Sequence, residues 1–280
     1  MPSSLPTQPQ VERNGLAIGS KLGEGGQAVV YELMGRQADY VYKEYRARAT
    51  NTATLAHLIN LPQTLTNVEQ RLLLSRTAWP LAQVTDGSKT VGFIMRRAPS
   101  RFWGETAAGA RLRELQYLLY EPSPLWHGIE PLNTAGRLEF VRQAAELFKL
   151  LHGHALVVGD VSMTNLLWSP PPVHPLLLDC DGVRPVRLPP VLARTETPEW
   201  IDPLAGPTEL SADSDRYKLA LLVGRVLTRK SDTMPGEPLR FLPNIPIEVA
   251  ERIAATFADA AGAAGTRPTA AAWLDALAGK

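Results

Sequence analysis

The chain has 280 residues, 45% of them hydrophobic, enough to bury one sizeable core or two modest ones. Its 29 Lys and Arg offset 28 Asp and Glu at a formal charge of +1, which excludes the strongly basic character of a typical nucleic-acid binder. A lone cysteine, Cys180, excludes an intramolecular disulfide framework and agrees with a reducing compartment, so a cytoplasmic location is expected. The opening MPSSLPTQPQ has no apolar segment of the secretory type, and residues 1–15 are expected to form a flexible tail. The apolar run at 219–227 is interrupted by Arg225 and falls well short of the roughly 20 residues a membrane span needs, so no membrane partner is expected.

Three strand-type runs follow the tail, at 16–22, 28–33 and 40–45, separated by Gly-rich and polar turns. Residues 49–66 read as a loop. Leu65, Val68 and Leu72 then recur at helical spacing, and the helix they predict over 65–75 stops before Trp79-Pro80. Two more strands are expected at 81–84 and 91–95, divided by the turn at Asp86-Gly87. Pro, Ser and Gly within 96–104 mark a linker, which splits the chain into a lobe at 16–95 and a second at 96–280. The second is expected to be mainly helical, with helices at 107–120, 138–152, 215–227, 246–260 and 268–278. A strand pair at 165–168 and 176–178 interrupts them across a Pro-rich loop. The fold class is therefore α+β: an antiparallel sheet with one helix, then a helical lobe.

Polar groups set into these elements carry the chemistry. Gly23-Glu24-Gly25-Gly26 lies between two strands, where glycine lets backbone approach phosphate without a Cβ clash, although such a turn serves an ordinary hairpin equally well. Lys43 sits among apolar and aromatic neighbours on the third strand, so an inward ammonium needs an anionic partner. ATP phosphates and an acidic side chain meet that need. Glu69 on the following helix is the expected acid, unless it is a solvated surface carboxylate, because Glu44 points to the opposite face of its strand. Asp160 with Asn165 five residues on can place a general base and a metal ligand on one loop, and Asp179 at a strand end can hold a second metal position. Turn capping explains Asp160 and Asn165 singly but not their joint arrangement. The five histidines have no metal-site spacing.

Taken together, these motifs resemble the eukaryotic-type Ser/Thr protein kinases, over nearly the whole chain. Gly23, Gly25, Ala28 and Val30 are similar to that family's Gly-rich loop, with Ala28 in place of the third glycine. Lys43 matches its strand lysine, Asp160 and Asn165 its catalytic loop, and Asp179 the first residue of its magnesium-binding triplet. Thr197-Pro198-Glu199 looks like the end of an activation segment. Ser214-Asp215 looks like the start of the buried helix whose Asp braces the catalytic loop, and Arg267-Pro268 like the opening of the last helix. Certain bacterial kinase-like domains are the more similar subgroup.

The resemblance implies a two-lobed kinase fold that binds ATP with Mg2+ or Mn2+ and phosphorylates Ser or Thr of a protein substrate. It implies nucleotide contacts at Gly23, Glu24, Gly25, Gly26, Val30, Lys43, Glu69, Met95, Arg96 and Ala98. It implies catalytic roles for Asp160, Lys43, Asn165 and Thr197, and metal ligation by Asn165 and Asp179. Asp181 is either an extra metal ligand or a solvated loop residue.

The chain departs from the family at four places. Gly159 replaces the Arg before the catalytic Asp, Ser162 the loop lysine, Cys180-Asp181 the Phe-Gly, and Leu204 the Glu that normally pairs with Arg267. Arg267 is then expected to find Asp202 or Glu209. These departures keep two alternatives open: a pseudokinase that holds nucleotide without transfer, and a small-molecule phosphotransferase.

Overall fold

Alternation along Tyr40–Tyr45 puts Val41, Lys43 and Tyr45 on one side of a strand and Tyr40, Tyr42 and Glu44 on the other. The computed structural model, which describes residues 9–47, 49, 51–193, 196–206 and 211–279, builds a mixed α+β fold from such patterns. In chain order the first elements are β1 (Gln10–Glu12), β2 (Ile18–Glu24), β3 (Ala28–Leu33), β4 (Tyr40–Tyr45), α1 (Thr52–Asn60) and α2 (Asn67–Arg76). Next come β5 (Ala82–Asp86), β6 (Lys89–Arg96), β7 (Trp103–Thr106), β8 (Gly109–Leu112), α3 (Gln116–Leu119) and α4 (Thr134–Gly153). The remainder are β9 (Leu156–Val157), β10 (Leu166–Trp168), β11 (Pro175–Leu177), β12 (Arg184–Pro185), α5 (Ala212–Thr228), α6 (Ile247–Asp259) and α7 (Ala270–Leu277). None of the described helices is long and apolar enough to cross a membrane.

The chain divides into two units, Met1–Ala98 with Leu178–Arg194, and Pro99–Leu177 with Thr195–Lys280. The sequence-based boundary at 95/96 is therefore corrected twice. Residues 96–98 stay with the first unit, and the stretch after Asp179 returns to it because Leu178, Val191 and Leu192 pack into its core.

The first unit is a six-stranded sheet in the order β1-β5-β6-β4-β3-β2, antiparallel except where β1 runs parallel to β5. The flexible tail expected at 1–15 is thus a strand at 10–12, paired through Val11 to Val84. Residues 1–8 lie outside the described residues. One face of the sheet buries Leu33, Tyr40, Tyr42, Val84 and Ile94. The other buries Ala28, Val41, Tyr45, Phe93 and Met95 against Leu55 and Ile59 of α1. Helix α1 was expected to be loop; its i, i+3, i+4 set Leu55, Leu58 and Ile59 is fully inside, and Trp79 Nε1 donates to the Leu58 carbonyl at 2.7 Å.

The second unit centres on α4 and α5. Helix α5 is buried nearly all round, its polar Asp215, Lys218 and Arg225 included, and Gly224 lets the Phe257 ring of α6 close on it. Arg137, fully buried on α4, donates to the carbonyls of Leu118, Leu132 and Val226. Burial pushes that guanidinium down to about 10. The helix expected at 107–120 is instead the β7–β8 hairpin followed by the single turn α3. Gly109, with φ 91°, turns the chain there, and the Thr106 hydroxyl holds the turn by accepting from the Ala108 amide and donating to the Gly109 carbonyl.

Candidate functional site

In the first unit the Gly-rich turn joins β2 to β3, and the Gly25 amide donates to the Ala28 carbonyl at 2.9 Å. A Cβ added at Gly23 or Gly26 meets nothing within 4 Å, so the turn's backbone faces open space. Glu24 is drawn aside into a surface cluster with Lys21 and Arg46. Val30 lies opposite Lys43 in register, and Met95 opposite Val41 within the same buried cluster. Arg96 closes β6 opposite Tyr40, and Ala98 ends this part of the unit.

Lys43 is buried, and its Nζ lies 2.7 Å from Asp181 Oδ1 and 3.3 Å from Asp179 Oδ1. Burial alone would lower the ammonium, but the two carboxylates outweigh it and hold Lys43 above the ordinary lysine range. The expected partner Glu69 is elsewhere: it closes a capping box at the start of α2, accepting from the Thr66 amide and hydroxyl. A Thr three residues before a Glu at a helix start is the sequence signal for that cap. Asp181, expected as an extra metal ligand or a solvated loop residue, is not solvated. It is buried and bound to Lys43.

Asp179 and Asp181 are carried by one tight turn. Asp179 adopts the left-handed conformation, φ 51° and ψ 38°, and its carbonyl accepts from the Gly182 amide at 2.9 Å. Cys180 between them is fully buried, and burial followed by the adjacent carboxylates pushes its thiol well up. The chain beyond is tied to the same unit, because Pro189 and Val191 carbonyls accept from Thr54 Oγ1 and the Asn51 amide. Gln27 of the Gly-rich turn likewise donates to the Ala193 carbonyl at 2.7 Å.

In the second unit Asp160 and Asn165 meet: Asn165 Nδ2 donates to Asp160 Oδ2 at 2.9 Å and to its carbonyl at 3.2 Å. Both contacts use the amide nitrogen. Thr197 Oγ1 is 3.5 Å from Asp160 Oδ1. Ser162 is buried, with its hydroxyl 3.2 Å from Thr164 Oγ1 and accepting from the Asn165 amide.

The loop is held from α5. Asp215 accepts the Val158 and Gly159 amides at 2.7 and 2.9 Å, and His152 Nε2 lies 3.0 Å from it. Lys218 donates to the Gly159 carbonyl at 2.6 Å and to Glu196 at 2.5 Å. Lys218 and Glu196 went unread in the sequence; a lysine among the apolar residues of a buried helix was the available signal. Further along, Arg225 lies 4.7 Å over the Trp200 ring and donates to the Glu199 carbonyl. Arg267 grips Asp202 with two hydrogen bonds of 2.5 and 2.8 Å. Glu209, the other partner considered for Arg267, lies outside the described residues.

No protein-family model matches this chain, and no curated protein shows significant similarity to it.

Proposed function

We propose that the chain is an ATP- and magnesium-dependent protein kinase acting on Ser or Thr. The observation that carries this reading is the Asp160 loop: a carboxylate bonded by Asn165, approached by Thr197, and braced through its backbone by Asp215 and Lys218. That combination serves a base that must meet a hydroxyl in one fixed position.

On this reading Asp160 orients the acceptor hydroxyl and takes its proton as the oxygen bonds to the γ-phosphorus and the bond to the ADP oxygen breaks. Lys43 positions the α- and β-phosphates, and the open peptide of Gly23–Gly26 lies over them. Asp179 in the first unit and Asn165 in the second would each offer magnesium a hard oxygen donor, a half-exposed carboxylate and an amide oxygen. Magnesium, when bound, would neutralise charge on the phosphates.

One observation favours the alternative of a nucleotide-holding module without transfer. The hydroxyl at Ser162 stands where a kinase supplies an ammonium, and the nearby Lys218 is fully buried against Glu196 and the Gly159 carbonyl. The test is transfer of label from γ-labelled ATP to protein acceptors with Mg2+ or Mn2+. Transfer abolished by Asp160→Asn and by Asp179→Asn is expected. Nucleotide binding without transfer across a broad acceptor panel establishes the holding module instead.

A further inference from the structure

Lys43 faces two carboxylates of different character. The side chain of Asp181 is 5% exposed and that of Asp179 is 54% exposed, against 8% for Lys43 itself. A desolvated ammonium needs a counter-charge that is equally desolvated, because a hydrated carboxylate gives up far less on leaving it. Asp181 meets that condition and is also the nearer, at 2.7 against 3.3 Å.

Among the described residues no helix carboxylate lies within ion-pair distance of Lys43. Helix α1, which packs Leu55 and Ile59 into the cluster beside Lys43, contains no acidic residue. Glu69 caps α2, and Glu44 accepts from Arg13 on the other face of the sheet. The turn that carries Asp181 is closed by the Gly182 and Val183 amides and anchored by the buried Cys180, so both carboxylates move as one piece.

On the kinase reading of the same site, we propose that Asp181 is the positioning residue of Lys43. It fills from the Asp179 turn the place a helix carboxylate would take, and it keeps the ammonium from settling on Asp179, which is left for a divalent cation. The lysine is then held whatever the position of α1, and the pair needs no helix movement to form. Without Asp181 the ammonium has Asp179 as its remaining partner, and lysine and cation compete for one carboxylate.

ATP binding by calorimetry, first in EDTA and then across a magnesium titration, tests this on the wild type, Asp181→Asn, Asp181→Glu and Asp179→Asn. Asp181→Asn is expected to raise the half-saturating magnesium concentration about tenfold, with a clearly smaller loss of metal-free ATP affinity. Asp181→Glu, which restores the charge, recovers most of the loss. Unchanged magnesium dependence in Asp181→Asn overturns the proposal, as does an equal loss of metal-free and magnesium-supported binding. A wild type that binds ATP under neither condition counts against the kinase reading. The pairing is then judged on the unliganded protein, where Asp181→Asn should lower the unfolding midpoint by about 5 °C or more and Asp179→Asn by clearly less. Equal midpoint shifts in the two variants contradict it.

Discussion

Lys43 on β4 and Asp181 in the turn after β11, 138 residues apart in the chain, meet at 2.7 Å. This contact joins the sheet to the returning segment 178–194 and sets a buried charge where the first unit presents its Gly-rich turn. The strand around Lys43 therefore has to hold its register against β6.

Gly92 on β6 sits against β4 so closely that a Cβ there would enter the Lys43 carbonyl oxygen and press on the Tyr42 ring. Gly92→Ala must spread the two strands, and a stability loss of about 1–3 kcal/mol is expected in urea unfolding. Gly23→Ala, where a Cβ meets nothing, serves as the contrast and should stay within about 1 kcal/mol.

The expected strands at 28–33 and 40–45 match β3 and β4, because alternation of apolar residues is a local signal. Helix α1 escaped notice because its start carries no hydrogen-bonded side-chain cap and no acid, and its apolar residues take their meaning from contact with Phe93 and Tyr45. The β7–β8 hairpin was read as helix because Ala107 and Ala108 favour helix locally, while Gly109 and the Thr106 hydroxyl decide for a turn. At the site, the sequence spacing of Asp160 and Asn165 is short enough for their contact to be legible. The partner of Lys43 was not, because it depends on a return of the chain that no local pattern announces.

Cys180 is expected to resist alkylation in the native protein, since its thiol is buried and pushed well above the ordinary value of 9.0, chiefly by burial. The sign of the stability effect follows. The folded state keeps the proton that the unfolded chain releases, so this contribution is complete below 9.0 and is lost as pH rises toward the folded value. Denaturant midpoints measured from pH 7 to 10 should fall more steeply for the wild type than for Cys180→Val.

Asp202 and Arg267 form a buried bidentate pair, so Asp202→Asn leaves the guanidinium inside the second unit with the longer contact to Asp213, at 3.3 Å, in place of two short bonds to a carboxylate. Denaturant unfolding is expected to show a loss of about 3–5 kcal/mol. The double substitution Asp202→Leu with Arg267→Met should recover a substantial part of it, and a double variant no more stable than the single one is the outcome against this account.

Lys218 and Glu196 link α5 to both the Asp160 loop and the residue before Thr197. Lys218→Met should destabilise the protein by taking the ammonium from the Glu196 carboxylate and the Gly159 carbonyl, whereas Lys218→Met with Glu196→Leu should regain much of that stability. If the link positions Asp160, the double variant stays about tenfold or more below wild type in kcat with KM for ATP nearly unchanged. Wild-type kcat in the stable double variant reduces the pair to a packing role.

The most direct test of the central claim is a single-turnover measurement of phosphoryl transfer from ATP and Mg2+ to a protein Ser or Thr, comparing the wild type with Asp160→Asn. The account predicts that the substitution slows transfer by about 10²-fold or more while ATP affinity stays within about threefold, as expected when a positioned base is lost and the nucleotide contacts are kept. An equal transfer rate in the two proteins, or transfer to a sugar or aminoglycoside with none to protein, would contradict it.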